Sequence, residues 1–172
     1  FQDAGEEEWW PPESASRENA PLPWPENITL VSSMEEMLQS NFVANIIISD
    51  RILPSDTASR VKNVIIYRPK TLVLGIGCKR GTPMEEIENL VKNVLLQFGL
   101  SYHSIRNIAS IDIKNDEVGL LQFAQKLGVP AVFYTREELN VVEAVSGVCE
   151  PAALLSSEAR NSSLLVKKQK SH

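Results

Sequence analysis

The stretch "KTLVLGIG", residues 70–77, constrains the fold most strongly. It is a nearly unbroken run of strand formers, and a strand with no polar face must be covered on both sides. A helical pattern follows at once. Ile87, Leu90, Val91, Val94, Leu95 and Phe98 fall on one face at the spacing of a helix laid on a sheet, and Gly99 suits its end. The alternation then repeats. "IRNIASIDIK" and "PAVFYT" read as strands. "NDEVGLLQFAQKLG" reads as a helix capped by Asn115 or Asp116 and ended by Gly128. Thr135 can cap "REELNVV", and Pro151 sits in the first turn of "CEPAALLSSEA". "SSLLVKKQK" reads as a closing strand. This is α/β grammar, and it predicts a three-layer α/β/α fold with a mixed, mostly parallel sheet.

Upstream, "NITLVS" reads as a strand, and "SMEEMLQSN" as a short helix capped by Ser32 or Ser33. "ANIIISD" and "VIIYRP" read as strands, with a helix capped by Ser55 between them. Residues 1–25 differ. They are rich in Glu, Pro, Ser and Ala without periodicity, and so read as a disordered linker. Trp9, Trp10 and Trp24 are unusual there, and docking onto a folded part is as compatible with them as disorder.

The chain of 172 residues is long enough for one domain with a real core, or for one domain and part of another. A net charge of −5 argues against a general nucleic-acid binder. No apolar run approaches the ~20 residues that span a bilayer. Two cysteines, Cys78 and Cys149, are too few for a disulfide scaffold and fit reduced thiols in a cytoplasmic protein. The chain begins at Phe1 rather than Met, which leaves room for a natural N-terminal extension or targeting segment.

Three stretches carry candidate chemistry. In "GIGCKRGTPMEE", Thr82 and Glu85 match a capping box with Pro83 at the first helical position. Gly75, Gly77 and Gly81 free the loop before it. The loop amides, the helix N-terminus, Lys79 and Arg80 would together favour an anion at the C-terminal edge of the sheet. The glycine spacing matches neither a dinucleotide fingerprint nor a Walker A loop. A plain strand-to-helix turn with two solvated cations fits the same residues. In "IDIKNDEVGL", Ile111 and Ile113 toward the core would turn Asp112 and Lys114 together the other way. The pattern favours an N-cap and one i, i+2 ion pair at a strand end over a polar rim beside the glycine loop. In "SGVCEPAALL", Cys149 sits near a helix start, which would lower its pKa, while a buried structural thiol is the commoner use of such a residue. The histidines, His103 and His172, lie outside all three stretches, so no Cys–His pair is signalled. No CxxC or HExxH spacing is present, and no protein-bound metal is expected.

Taken in order, "GIGCKRGT", "IASIDIKNDEVGL" and "VCEPAAL" resemble the C-terminal domain of the cobalamin biosynthesis protein G family, a domain shared with the stand-alone protein CobE. The likeness covers residues 70–168. "WPENITLVSS" and "NIIISDR" also resemble the family's central region. The resemblance implies a linker over 1–25, a partial central α/β region over 26–69 and a CobE-like domain over 70–172. It implies a role in the anaerobic corrin pathway, where full-length members open the δ-lactone of cobalt-precorrin-5A with loss of acetaldehyde. Cobalt would be carried by the substrate, and no cofactor is implied. A rival is a non-catalytic module that binds or hands on a corrinoid. Expected partners are a corrinoid or precorrin and either the family's N-terminal domain or a fused corrin-pathway methyltransferase.

Residue by residue, Gly75, Gly77, Cys78, Arg80, Gly81 and Thr82 match the first family motif. Asp112, Lys114, Glu117, Gly119 and Leu120 match the second, and Cys149 and Glu150 the third. On this likeness, Lys79, Arg80 and the loop amides would hold carboxylate arms. Asp112 or Glu150 would act as general base, and Lys114 would steady the oxyanion.

Overall fold

The computed structural model describes residues 26–31, 33–54, 60, 63–142, 147–157 and 162–170. The linker with its tryptophans, the Ser55-capped helix, Ser32 and His172 lie outside the described residues. The chain divides into two compact units, one ending at Pro69 and one beginning at Lys70.

In the first unit, helix α1 (Met34–Gln39) starts where the Ser33 hydroxyl accepts the Glu36 amide at 3.1 Å. Strands β1 (Asn45–Ile48) and β2 (Val64–Tyr67) pair in parallel, with Ile46 opposite Ile65. Ile47 is buried, whereas Ile46 and Ile65 are 69% and 66% exposed. Beyond the strands, the Arg68 guanidinium donates to the carbonyls of Ser49 and Arg51 and ties their ends together. The expected strand at "NITLVS" is absent from residues 28–31. Ile28 and Leu30 are exposed, so nothing there supplies the neighbouring strand that a ladder needs.

The second unit is a parallel sheet in the order β3 (Leu72–Gly75), β4 (Ile105–Ile111), β5 (Ala131–Tyr134). Every strand pairing among the described residues is parallel, not mixed. Helices α2 (Met84–Gln97) and α3 (Val118–Leu127) connect the strands. Strands laid down in sequence order by crossovers of one hand put both helices on the same face. There Ile87, Leu120, Phe123 and Ala124 pack on Ile108. The opposite face belongs to α4 (Arg136–Asn140) and α5 (Cys149–Ser156), where Leu139 and Ala152 meet Ala109 and Ile111. The alternation of Ile108 with Ala109 and Ile111 along β4 thus feeds two cores, and this makes three layers.

Two of the expected helix ends form as the sequence predicts. Thr135 and Glu138 make a full capping box at α4, and α3 ends at Gly128 with φ +67°. The expected closing strand does not form: residues 162–170 contain no strand, and the Lys168 amide donates to the Glu150 carboxylate at 2.9 Å instead. Glu88, on α2, is a buried carboxylate that periodicity does not flag. It bridges Lys126 of α3 at 2.6 Å and Lys92 at 2.8 Å.

Those two hydrogen-bonded ammonium groups pull the Glu88 pKa from 4.5 to about 2. A depressed carboxylate stabilises the fold above its unfolded pKa and loses that contribution as pH falls through the folded one. The urea midpoint of the parent protein should therefore exceed that of Glu88→Gln at pH 6, and the gap should close between about pH 4.5 and 2. A gap that does not change with pH would rule out this charge bridge.

Candidate functional site at the C-terminal edge of the second sheet

Parallel strands deliver their following loops to one edge. Here the loop 76–82 after β3, the turn 112–117 after β4 and the start of α5 converge. Glycine makes the convergence possible at two points. A Cβ on Gly75 would lie 1.8 Å from the Cys149 carbonyl oxygen, and one on Gly119 2.1 Å from the Thr82 carbonyl oxygen. Either distance is far inside van der Waals contact, so backbone packs directly on backbone. Ser110 adds a stitch that the sequence reading missed. It is fully buried within β4, and its hydroxyl donates to the Ile76 carbonyl at 2.6 Å. A lone serine inside the apolar run "IASI" was the available signal.

The loop's own chemistry departs from the expected capping box. The Thr82 hydroxyl donates to the Lys79 carbonyl at 2.8 Å, closing the turn, and α2 begins after Pro83 with no side-chain cap. Gly81 has φ +74°, a left-handed conformation that costs a residue with a Cβ. Its amide donates at 2.6 Å to Glu117, a carboxylate that is 4% exposed. The other Glu117 oxygen faces the Lys114 ammonium at 3.3 Å. These contacts hold the Glu117 carboxyl below the usual range, with the Gly81 amide the largest cause. Glu117 is therefore turned inward, and α3 starts after it with no side-chain cap, neither Asn115 nor Asp116 serving.

Arg80 is paired differently. Its guanidinium donates to Asp116 at 2.5 Å and to the Ile113 carbonyl at 3.0 Å, and both side chains of the pair are 63% exposed. Ion pairs this exposed contribute little, about 0–1 kcal/mol. Lys79 is exposed and has no ion pair among the described residues.

The second motif does not continue as a strand. β4 ends at Ile111, and residues Asp112–Lys114 form a 3₁₀ turn closed by the Asn115 amide on the Asp112 carbonyl at 3.0 Å. Strand alternation stops there, so Asp112 and Lys114 do not share a face by pleat. The Asp112 carboxylate accepts the Ile113 amide at 2.7 Å, and Lys114 turns to Glu117. Ile113, expected in the core, is 59% exposed, and Val118 and Leu121 on α3 are exposed beside this turn.

At the third motif, burial pushes the Cys149 thiol up, partly offset by Lys168 and by the Gly77 amide. This reverses the expected lowering, because desolvation outweighs the helix start. Burial likewise raises Cys78, which feels Lys114, Glu117 and Cys149. Both cysteines are free. A Cβ on Gly77 would lie 3.0 Å from the Cys149 sulfur, so the first and third motifs touch here too. Glu150 holds the Lys168 amide. The structure thus gathers the candidate residues at one edge, with Lys79 and Arg80 outward and Lys114 and Glu117 inward.

The pattern of the family described as Cobalamin synthesis G C-terminus matches residues 72–172. The chain belongs to this family. Outside the described family domain the likeness continues. A "Cobalt-precorrin-5A hydrolase" of Priestia megaterium is 34% identical over 179 residues, covering 97% of this chain and 46% of that protein. The chain therefore spans less than half of that relative's length. "Protein CobE" of Sinorhizobium sp. is 37% identical over 111 residues, 56% of this chain and 71% of that protein. A solved structure of CobE, a protein from the cobalamin (vitamin B12) biosynthetic pathway, has 34% identity and a TM-score of 0.45, covering 48% of this chain and 71% of its own. Among the described residues of this family member, no helix is long and apolar enough to cross a membrane.

The glycine contacts make graded expectations. Gly75→Ala and Gly119→Ala should each destabilise by about 2–4 kcal/mol, because backbone must move. Gly81→Ala has open space around it and should cost only about 1–2 kcal/mol, from its backbone angle. Urea unfolding of the three variants checks the order; a Gly119→Ala protein as stable as the parent would contradict the close approach.

Proposed function

We propose that this chain acts in cobalamin biosynthesis as the C-terminal module of a cobalt-precorrin-5A hydrolase. The observation that carries the reading is the 34% identity to the Priestia megaterium protein of that name along 97% of the chain. The substrate is a cobalt tetrapyrrole bearing several acetate and propionate arms, and its cobalt arrives with it. The site chemistry suits such a ligand. Lys79 and the exposed Arg80 offer cations at a glycine-rich sheet edge, and the exposed Ile113, Val118 and Leu121 offer apolar surface near them.

In this reading, Lys79 and Arg80 hold carboxylate arms. Arg80 exchanges its weak solvent-exposed bond to Asp116 for a ligand carboxylate at little cost. Asp112 or Glu150 takes a proton from water as the water adds to the lactone carbonyl. Collapse of the tetrahedral oxyanion breaks the ring C–O bond and leaves a carboxylic acid and a hydroxyl, after which the two-carbon fragment departs as acetaldehyde. Each carboxylate already accepts one amide, but Asp112 holds only its neighbour Ile113 whereas Glu150 holds the distant tail at Lys168, which makes Asp112 the stronger candidate for base. Lys114 is paired with Glu117 and steadies charge from within the turn. The remainder of the site comes from the N-terminal domain of this family or from a fused corrin-pathway methyltransferase, in the cytoplasm.

Single-turnover incubation with cobalt-precorrin-5A, scored for acetaldehyde against a no-protein control, tests the reading. With the remaining domain supplied beside the chain, release is expected, and Asp112→Asn should abolish it while sparing binding. Lys79→Ala should weaken binding by about 1–3 kcal/mol. A perturbed visible spectrum without release would make the chain a binding module. The absence of both signals would overturn the proposal.

A further inference from the structure

An anion-binding loop whose best-placed amide already holds an anion needs an explanation. The Gly81 amide is the donor that a positive-φ glycine turns inward, and it ends 2.6 Å from Glu117. The partner carboxylate is 4% exposed, and the Lys114 ammonium on its other oxygen has a side chain only 12% exposed. Loop, turn and the start of α3 are thereby joined by one internal carboxylate, 36 residues from the amide it holds. Nearby, Gly119 lies against the Thr82 carbonyl, so the loop is fixed at two adjacent points on the same helix start. On the solvent side Arg80 also reaches the turn, through Asp116 and the Ile113 carbonyl, but that link is exposed, and Lys79 has no ion pair among the described residues.

We propose that Glu117 is a positioning residue: an internal carboxylate that sets the glycine loop in its ligand-ready shape and keeps Lys79 and Arg80 turned outward. This rests on the corrinoid reading for the identity of the ligand. A loop already ordered loses less freedom when it binds, so affinity rises without a new contact to the ligand. Glu117 itself touches no substrate. Removing it leaves Lys114 without its partner and frees the Gly81 amide, and the loop loses its fixed shape while the core under α2 and α3 keeps its packing.

The test uses the full chain, with cobyrinic acid, a cobalt corrinoid carrying free carboxylate arms, as probe. Amide hydrogen exchange by NMR is read at Gly81, at Ile87 and at Leu120, alongside corrinoid affinity, for the parent, Glu117→Ala and Glu117→Gln. Expected for Glu117→Ala is exchange at Gly81 at least about 10-fold faster, unchanged exchange at Ile87 and Leu120, and a Kd raised about 10-fold. Glu117→Gln keeps an oxygen for the Gly81 amide and should recover part of both losses. A Glu117→Ala protein with faster Gly81 exchange but unchanged Kd would overturn the positioning role and leave the corrinoid reading standing. Faster exchange at all three amides would also overturn it, since the carboxylate would then support the whole fold. A parent protein that does not bind the corrinoid would overturn the functional reading, and the proposed role with it.

Discussion

A carbonyl oxygen and an α-carbon can meet only where no side chain stands between them. Gly75 against Cys149 and Gly119 against Thr82 are two such meetings, and the rest of the site hangs on them. The first seats α5 on the end of β3. The second seats the β3 loop on the start of α3. With either held apart by a methyl group, the three motifs would still lie on one sheet edge, but that joint would open. Burial of Ser110 and its bond to the Ile76 carbonyl complete the same joint from below.

Exposure then divides the charges at this edge into two kinds. Lys114 and Glu117 sit out of water, where an ion pair is costly to break from one side. Arg80 and Asp116 sit in water, where partners exchange freely. The same residue types, a few positions apart, thus serve structure in one case and remain available to a ligand in the other. Composition alone cannot draw that line, because it depends on which side of the 76–82 loop each charge lies.

Much of the fold was legible in the sequence. Apolar runs marked the strands β1 to β5, and in β4 the run reflects cover on both faces. Ser33 and Thr135 were legible as caps because a cap is settled within four residues. The failures have one cause. Thr82, Asn115 and Asp116 had the right chemistry to cap, but Thr82 bonds the turn before it, and Glu117 stands at the start of α3 with its carboxylate drawn to Gly81. "NITLVS" and "SSLLVKKQK" had strand composition without a strand to pair with. Glu88 was not singled out, because its partner Lys126 comes from α3 and is distant in sequence. At the site, the sequence indicated which residues gather but not which way they turn.

The strand order β3-β4-β5 has a kinetic side. Each connection along it joins neighbours in the chain, so sheet, α2 and α3 can assemble through local contacts with little loop-closure entropy. Helix α5 is different: it must return across the whole unit to pack on β3 and β4. Its packing on β3 and β4 should therefore form late, and slower amide exchange in β4 than in α5 would register this. The sheet edge carrying Cys149 and Glu150 thus depends on the wall whose packing spans the longest stretch of chain.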